Sequence, residues 1–196
     1  MRTLRTLGTL ALLVVGLAGC NQYDKLIEAD SVCDQKWADL QAQLERRGDL
    51  VPNLVATVKA SAQHEEKTLT EVAKARASAS QIQLSGEDLQ DPEKVAAFQK
   101  AQEGLHGALS RLLVTNEQYP QLQANAQFHD LQVQLEGTEN RILRAREEYN
   151  AAARTYNAEI GKIRGAVVKR ATGSTFKPRV YFTASAEATA VPKVTF

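Results

Sequence analysis

Charge of one sign, histidine, cysteine and aromatic residues are all scarce in this chain, and each scarcity closes a class of function. The 24 basic residues are balanced by 23 acidic ones, a formal +1. No overall field holds nucleic acid, and no acidic block forms a solvating tail. The three histidines, His64, His106 and His129, have no second histidine one helical turn away, so "HEEKT" lacks the pairing of a zinc site. Surface or internally satisfied imidazoles are expected. There is no Cys-x-x-Cys, no glycine-rich phosphate loop after a strand and no nucleophile elbow. Carboxylates are plentiful but interleaved with cations, as in Glu65-Glu66-Lys67 and Arg146-Glu147-Glu148, the pattern of solvated helix faces. The chain therefore reads as a non-enzyme with no metal or cofactor.

What is present begins at the N-terminus. Basic Met1–Arg5, the apolar run "LGTLALLVVGLAG" and a small residue before Cys20 form the three parts of an export signal. The run is shorter than the roughly 20 apolar residues a membrane span needs. "LAGC" resembles the lipobox of bacterial lipoproteins, which implies cleavage after residue 19 and lipidation of Cys20. One acyl chain anchors marginally and several anchor firmly. Asn21 rather than aspartate follows, which by the lipoprotein sorting pattern implies the outer membrane, on its periplasmic face. Removing Arg2 and Arg5 leaves 22 basic against 23 acidic residues, a formal −1. Cys33 then lacks an intrachain partner and reads as a small buried apolar group.

From Tyr23 onward, apolar residues recur at alternating steps of three and four. Leu26, Cys33, Trp37, Leu40 and Leu44 make one stripe, with Asp30 in the remaining seam position. Val51, Leu54, Val55, Val58, Leu69, Val72 and Ala73 make a second, and Val95, Phe98, Leu105, Leu109 and Leu112 a third. The fourth runs Phe128, Leu131, Leu135, Thr138, Ile142, Ala145, Tyr149, Ala152, Tyr156. Such stripes belong to helices packed nearly parallel, and no period-two alternation precedes residue 165. Gly48, Asp49 and Pro52 predict a helix stop and restart; one helix kinked at Pro52 is the competing reading. Asp91 caps the next helix with Pro92 at its first position, and Asn125 caps the last. The expectation is all-α: an antiparallel up-and-down four-helix bundle of roughly 26, 33, 27 and 37 residues with short loops. Residues 1–19 are read as signal peptide, 20–165 as the bundle, and 166–196 as a basic segment and flexible, mostly irregular tail.

The stretches "LERRGDLVPNLVATVKASAQHE" (44–65), "ARASA" (75–79), "NEQYPQLQANAQFHDLQVQLEGTENRI" (116–142) and "AREEYNAAARTYN" (145–157) resemble the LemA family. The resemblance implies a helical envelope protein and carries no catalytic residues with it. After its second Tyr-Asn pair the family tends to continue with Phe-Pro and an apolar segment, where this chain has the more basic "IGKIRGAVVKRATGSTFK". The two Tyr-Asn pairs, at 149–150 and 156–157, stack two turns apart, with tyrosines at the core edge and asparagines hydrogen-bonded to a neighbouring helix.

Two surfaces follow as expectations. Helix 1, rising ~39 Å from the anchor, would gather Arg46, Arg47, Asp49, Asn53, Tyr119 and Asn125 at the end away from the membrane, where an envelope protein docks. Lys162, Arg164, Lys169, Arg170, Lys177 and Arg179, with no acid among residues 161–180, would return to the bilayer as a second tether, each cation contributing ~1 kcal/mol near an anionic surface. The function expected is a lipid-anchored periplasmic interaction or scaffolding module, with self-association left open. An envelope hydrolase and an apolar-ligand carrier are the alternatives.

Overall fold

The computed structural model describes residues 2–61, 66–115, 119–162 and 176–183, with residues 2–22 described as backbone alone. Helix α1 spans Arg2–Ser61, α2 Glu66–Gln81, α3 Pro92–Thr115, α4 Pro120–Gln123 and α5 Ala126–Gly161, with a 3-10 turn at Asp88–Gln90. The pairings fix the topology. Lys36 meets Glu148 and Arg47 meets Glu139 between α1 and α5; Arg111 meets Glu71 and Gln102 reaches the Ala79 carbonyl between α2 and α3. As one number rises its partner falls, so these neighbours run antiparallel and the bundle is up-and-down. The caps form where the sequence places them. Asp91 Oδ1 accepts from the Glu93 and Lys94 amides, and Asn125 Oδ1 from those of Gln127 and Phe128. Among the described residues no helix is long and apolar enough to cross a membrane.

The expected turn at residues 48–52 does not form: α1 runs through Pro52 without a break. A proline inside a helix removes the amide that would bond the carbonyl four residues back, here that of Gly48. Arg76 of α2 replaces it, its Nε donating to Gly48 O at 2.8 Å. Residues 51–61 therefore belong to α1, and α2 is a helix of 16 residues.

That shift changes how the core is walled. The half that holds the end of α1 and the start of α5, the distal half, is aliphatic and among the described residues is built mainly by helices: Leu54, Val58, Val72, Leu105, Leu112 and Leu131 pack there with Phe128 and with Leu122 of α4. Because α2 stops at Gln81, the proximal half has α1, α5 and the start of α3, and its remaining wall is chain outside the α-helices, with the 3-10 turn Asp88–Gln90 in it. Residues 82–91 cover one side with Leu84 and Leu89, and residues 176–183 cover another with Phe182. The segment 176–183, expected as part of a flexible tail, is instead an extended strap built into the core. Cys33 is fully buried in this half, and burial pushes its thiol up to about 11.

Candidate functional site

The strap is held by the two Tyr-Asn pairs of α5. Seven helical residues rise ~10.5 Å, and three extended residues span ~10 Å, so Asn150 and Asn157 fall in register with Phe182 and Arg179. Asn150 Nδ2 donates to Phe182 O and its Oδ1 accepts from Phe182 N, both at 2.8 Å. Asn157 does the same with Arg179, at 2.9 and 2.8 Å. Each side-chain amide presents the donor and acceptor that an adjacent strand would offer, and the reciprocal bonds fix its orientation. Tyr149 OH donates to Val180 O at 3.1 Å, and Val180 N donates to Leu89 O at 2.8 Å. The asparagines are structural, as expected, but their partner is this extended chain rather than a helix.

Two strap side chains anchor it. Phe182 stacks on Trp37 with centroids 5.5 Å apart and meets Phe98 and Tyr149 edge-on, the offset and T-shaped geometries that aromatic quadrupoles favour. Trp37 Nε1 in turn donates to Leu84 O at 3.2 Å. Arg179 is 3% exposed. Its guanidinium meets Asp30 Oδ1 at 2.6 Å and Asp34 Oδ1 at 2.9 Å, donates to Gly86 O, and lies 5.9 Å from the Tyr156 ring centroid. Burial pulls its pKa down, but the hydrogen bond and charge of Asp30 outweigh burial and raise it. Asp30, the odd polar residue in the first stripe, thus has its counter-ion 149 residues away. Tyr156 is pushed up to about 12, chiefly by burial.

Between the two half-cores lies a polar layer. Arg47, also 3% exposed, donates through Nη1 to Glu139 at 3.1 Å and through Nη2 to Gln102 Oε1 at 2.7 Å. Its Nε has no partner among the described residues. His106 Nδ1 approaches Glu139 Oε2 at 3.3 Å. The hydrogen bond to Glu139 raises the His106 pKa; burial pushes Glu139 up, but His106 and Arg47 outweigh it and leave it below its ordinary value. Both shifts favour the charged form of the pair. An open groove of about 250 Å³ runs from this layer to the strap, floored by Leu40, Phe98, Ile142 and Phe182. Among the described residues no group of three or more His, Cys, Asp or Glu is disposed to hold a metal.

The expected docking surface does not assemble. Arg46, Asp49 and Asn53 are exposed but lie within α1, roughly two to four turns short of its last residue Ser61, and Arg47 is the buried centre of the polar layer. Glu139, which pairs with Arg47, is 14 residues and so ~21 Å down the helix from the Asn125 cap. Tyr119 is half-buried against the distal core. The physical reason is the unbroken α1: without a turn at Gly48, residues 46–53 are not at an end. The expected membrane tether is also revised. Arg179 is a core ion, withdrawn by Asp30. Lys162 is exposed and paired with Glu159, and Lys177 is exposed; Arg164, Lys169 and Arg170 lie outside the described residues, as does His64. Cys20 lies within the backbone-only part of α1.

Comparison with known proteins places these features in a family. The chain is 46% identical over 59 residues to Magnetosome protein MamQ 2 and to Magnetosome protein MamQ 1 of Paramagnetospirillum magneticum. It is 42% identical over 59 residues to Magnetosome protein MamQ of Magnetospirillum gryphiswaldense. Each match covers 30% of this chain and 22% of the relative, so the aligned stretch spans less than a quarter of those proteins. The LemA family model matches residues 36–196, which takes in α1 from Lys36, the polar layer, both Tyr-Asn pairs and the strap: the chain belongs to the LemA family.

Proposed function

We propose that this protein is a lipid-anchored interaction or scaffolding module of the bacterial envelope, exported by residues 1–19 and lipidated at Cys20. The family and the magnetosome relatives support a membrane-associated helical protein. The observation that carries the anchor reading further is the continuity of α1. The helix containing Cys20 continues without a break to Ser61, about 60 Å of rigid rod that forms one wall of both half-cores. Acyl chains on Cys20 would set the whole bundle on the membrane as one body, with its distal half held away from the bilayer. Asn21 fits delivery to the outer membrane, and a second envelope protein is the partner class this arrangement serves.

Replacing Cys20→Ser and fractionating cells after growth with radiolabelled acyl chains tests the reading. The wild-type chain should carry label and sediment with membranes; the variant should carry none and remain uncleaved or soluble. Equal label in both would end it. The hydrolase reading keeps one observation in its favour, the His106–Glu139 pair lining an open groove. Ester or peptide turnover by purified protein that vanishes in His106→Gln while the fold stays intact would establish that reading instead.

A further inference from the structure

We propose that the strap is exchangeable: residues 176–183 of one copy seat in the Tyr-Asn groove of a second copy, and two such exchanges close a reciprocal dimer. The occupant follows from fit. The segment whose match to this groove is shown atom by atom is the chain's own, and nothing in the match depends on which copy supplies it. Asn150, Asn157, Tyr149 and the Leu89 carbonyl read the strap through its main chain. Arg179 and Phe182 are the only two deeply buried side chains of the strap, and both fall within this short segment.

The connection permits both routes. Lys162 and Phe176 stand at the same end of the bundle, each beyond the Asn157–Arg179 clamp. The residues between them, 163–175, have a contour length of roughly 45 Å, enough to reach across to a neighbouring groove. The contacts are the same in either arrangement, so the balance rests on the effective concentration of the tethered strap, on the order of mM for a connection of this length. A monomer therefore prevails in dilute solution, and exchange sets in as copies approach that concentration. The start of the strap also leaves apolar surface for a second copy to cover: Tyr23, edge-on to Phe176 at 6.3 Å, is 36% exposed, and Ile27 is 44% exposed. A reciprocal exchange uses the same groove and strap on both copies, so it closes with two-fold symmetry and does not propagate.

The test uses the full chain carrying Cys20→Ser and Cys33→Ala, so that neither native thiol can react. Thr183 Oγ1 lies 3.5 Å from Gln99 Oε1 where the seated strap ends. One preparation carries Gln99→Cys and the other Thr183→Cys; they are mixed at about mM concentration and oxidised. Exchange should make the 99-to-183 disulfide dimer outnumber the two symmetrical dimers together, and the excess should fade on dilution. Adding Asn157→Leu to the Gln99→Cys copy should abolish it. A mixed dimer at no more than the statistical half at every concentration would overturn the proposal. A chain carrying both cysteines should close the bond within itself when dilute; failure to close would overturn the seat and the exchange together.

Discussion

The two halves of this bundle solve the same problem with different residues. In the distal half the described walls are mainly helices, whose backbone groups are bonded internally, so the core needs only shape and apolar area and is filled chiefly with Leu and Val around one phenylalanine. In the proximal half two stretches of wall are irregular or extended chain, and each buried amide and carbonyl there must find a partner from elsewhere. The facing helices therefore carry side chains that end in a hydrogen-bonding group. Tyr149, Trp37, Asn150 and Asn157 all bond main-chain atoms of the non-helical wall. Residue choice in a core reflects the secondary structure of what it packs against as much as its burial.

The largest expected effect breaks this contrast directly. Phe128→Ala in the distal half should cost about 3–5 kcal/mol and lower the urea midpoint of the whole molecule as one transition. Arg179→Ala should cost about 3 kcal/mol, the lower end for a broken buried ion pair because Asp34 is half exposed. It should also act locally, with hydrogen exchange accelerating at Val180 and Phe182 while the distal helices stay protected. Adding Phe182→Ala to Arg179→Ala should then cost much less than Phe182→Ala alone, because the strap has already left. Full additivity of the two would mean that the strap does not detach as a unit.

A smaller effect sharpens the comparison where the halves meet. Arg76→Ala strands the Gly48 carbonyl and should cost about 1–3 kcal/mol. In a Pro52→Ala background the restored amide takes that carbonyl, so the same change should be close to neutral. An equal cost in both backgrounds would show that Arg76 acts in some other way.

The smallest concerns the polar layer. The His106 pKa is raised above its ordinary 6.5 by Glu139, so the stability from this contact is complete below about pH 6.5. It is lost as pH rises through the raised value. Glu139 has the opposite sign: its pKa lies below its ordinary 4.5, and its contribution is lost as pH falls through the lowered value. Thermal melts of His106→Gln should lose the decline above about pH 6.5 and keep a reduced acid-side one, because Arg47 still holds Glu139. The wild-type decline surviving in the variant would place its origin elsewhere.

By itself, the sequence determined the all-helical class, the caps at Asp91 and Asn125 and nearly all of the buried stripe, because burial on a helix repeats every three to four residues and is legible along one dimension. Leu26, Trp37, Phe98, Leu135 and Tyr156 are buried where their spacing predicts, and Asp91 and Asn125 cap the helices they precede. Two signals of the strap were also written there, Asp30 in an apolar seam and two Tyr-Asn pairs one heptad apart, but neither names its partner. Only the tertiary structure decided that Pro52 would not end a helix, since the donor replacing its missing amide comes from Arg76 on another element. It likewise decided that Arg47 and Arg179 would be core ions rather than surface charges. A cation's environment is set by which carboxylate folding brings to it, and for Arg179 that carboxylate is 149 residues away, beyond the reach of any periodic pattern.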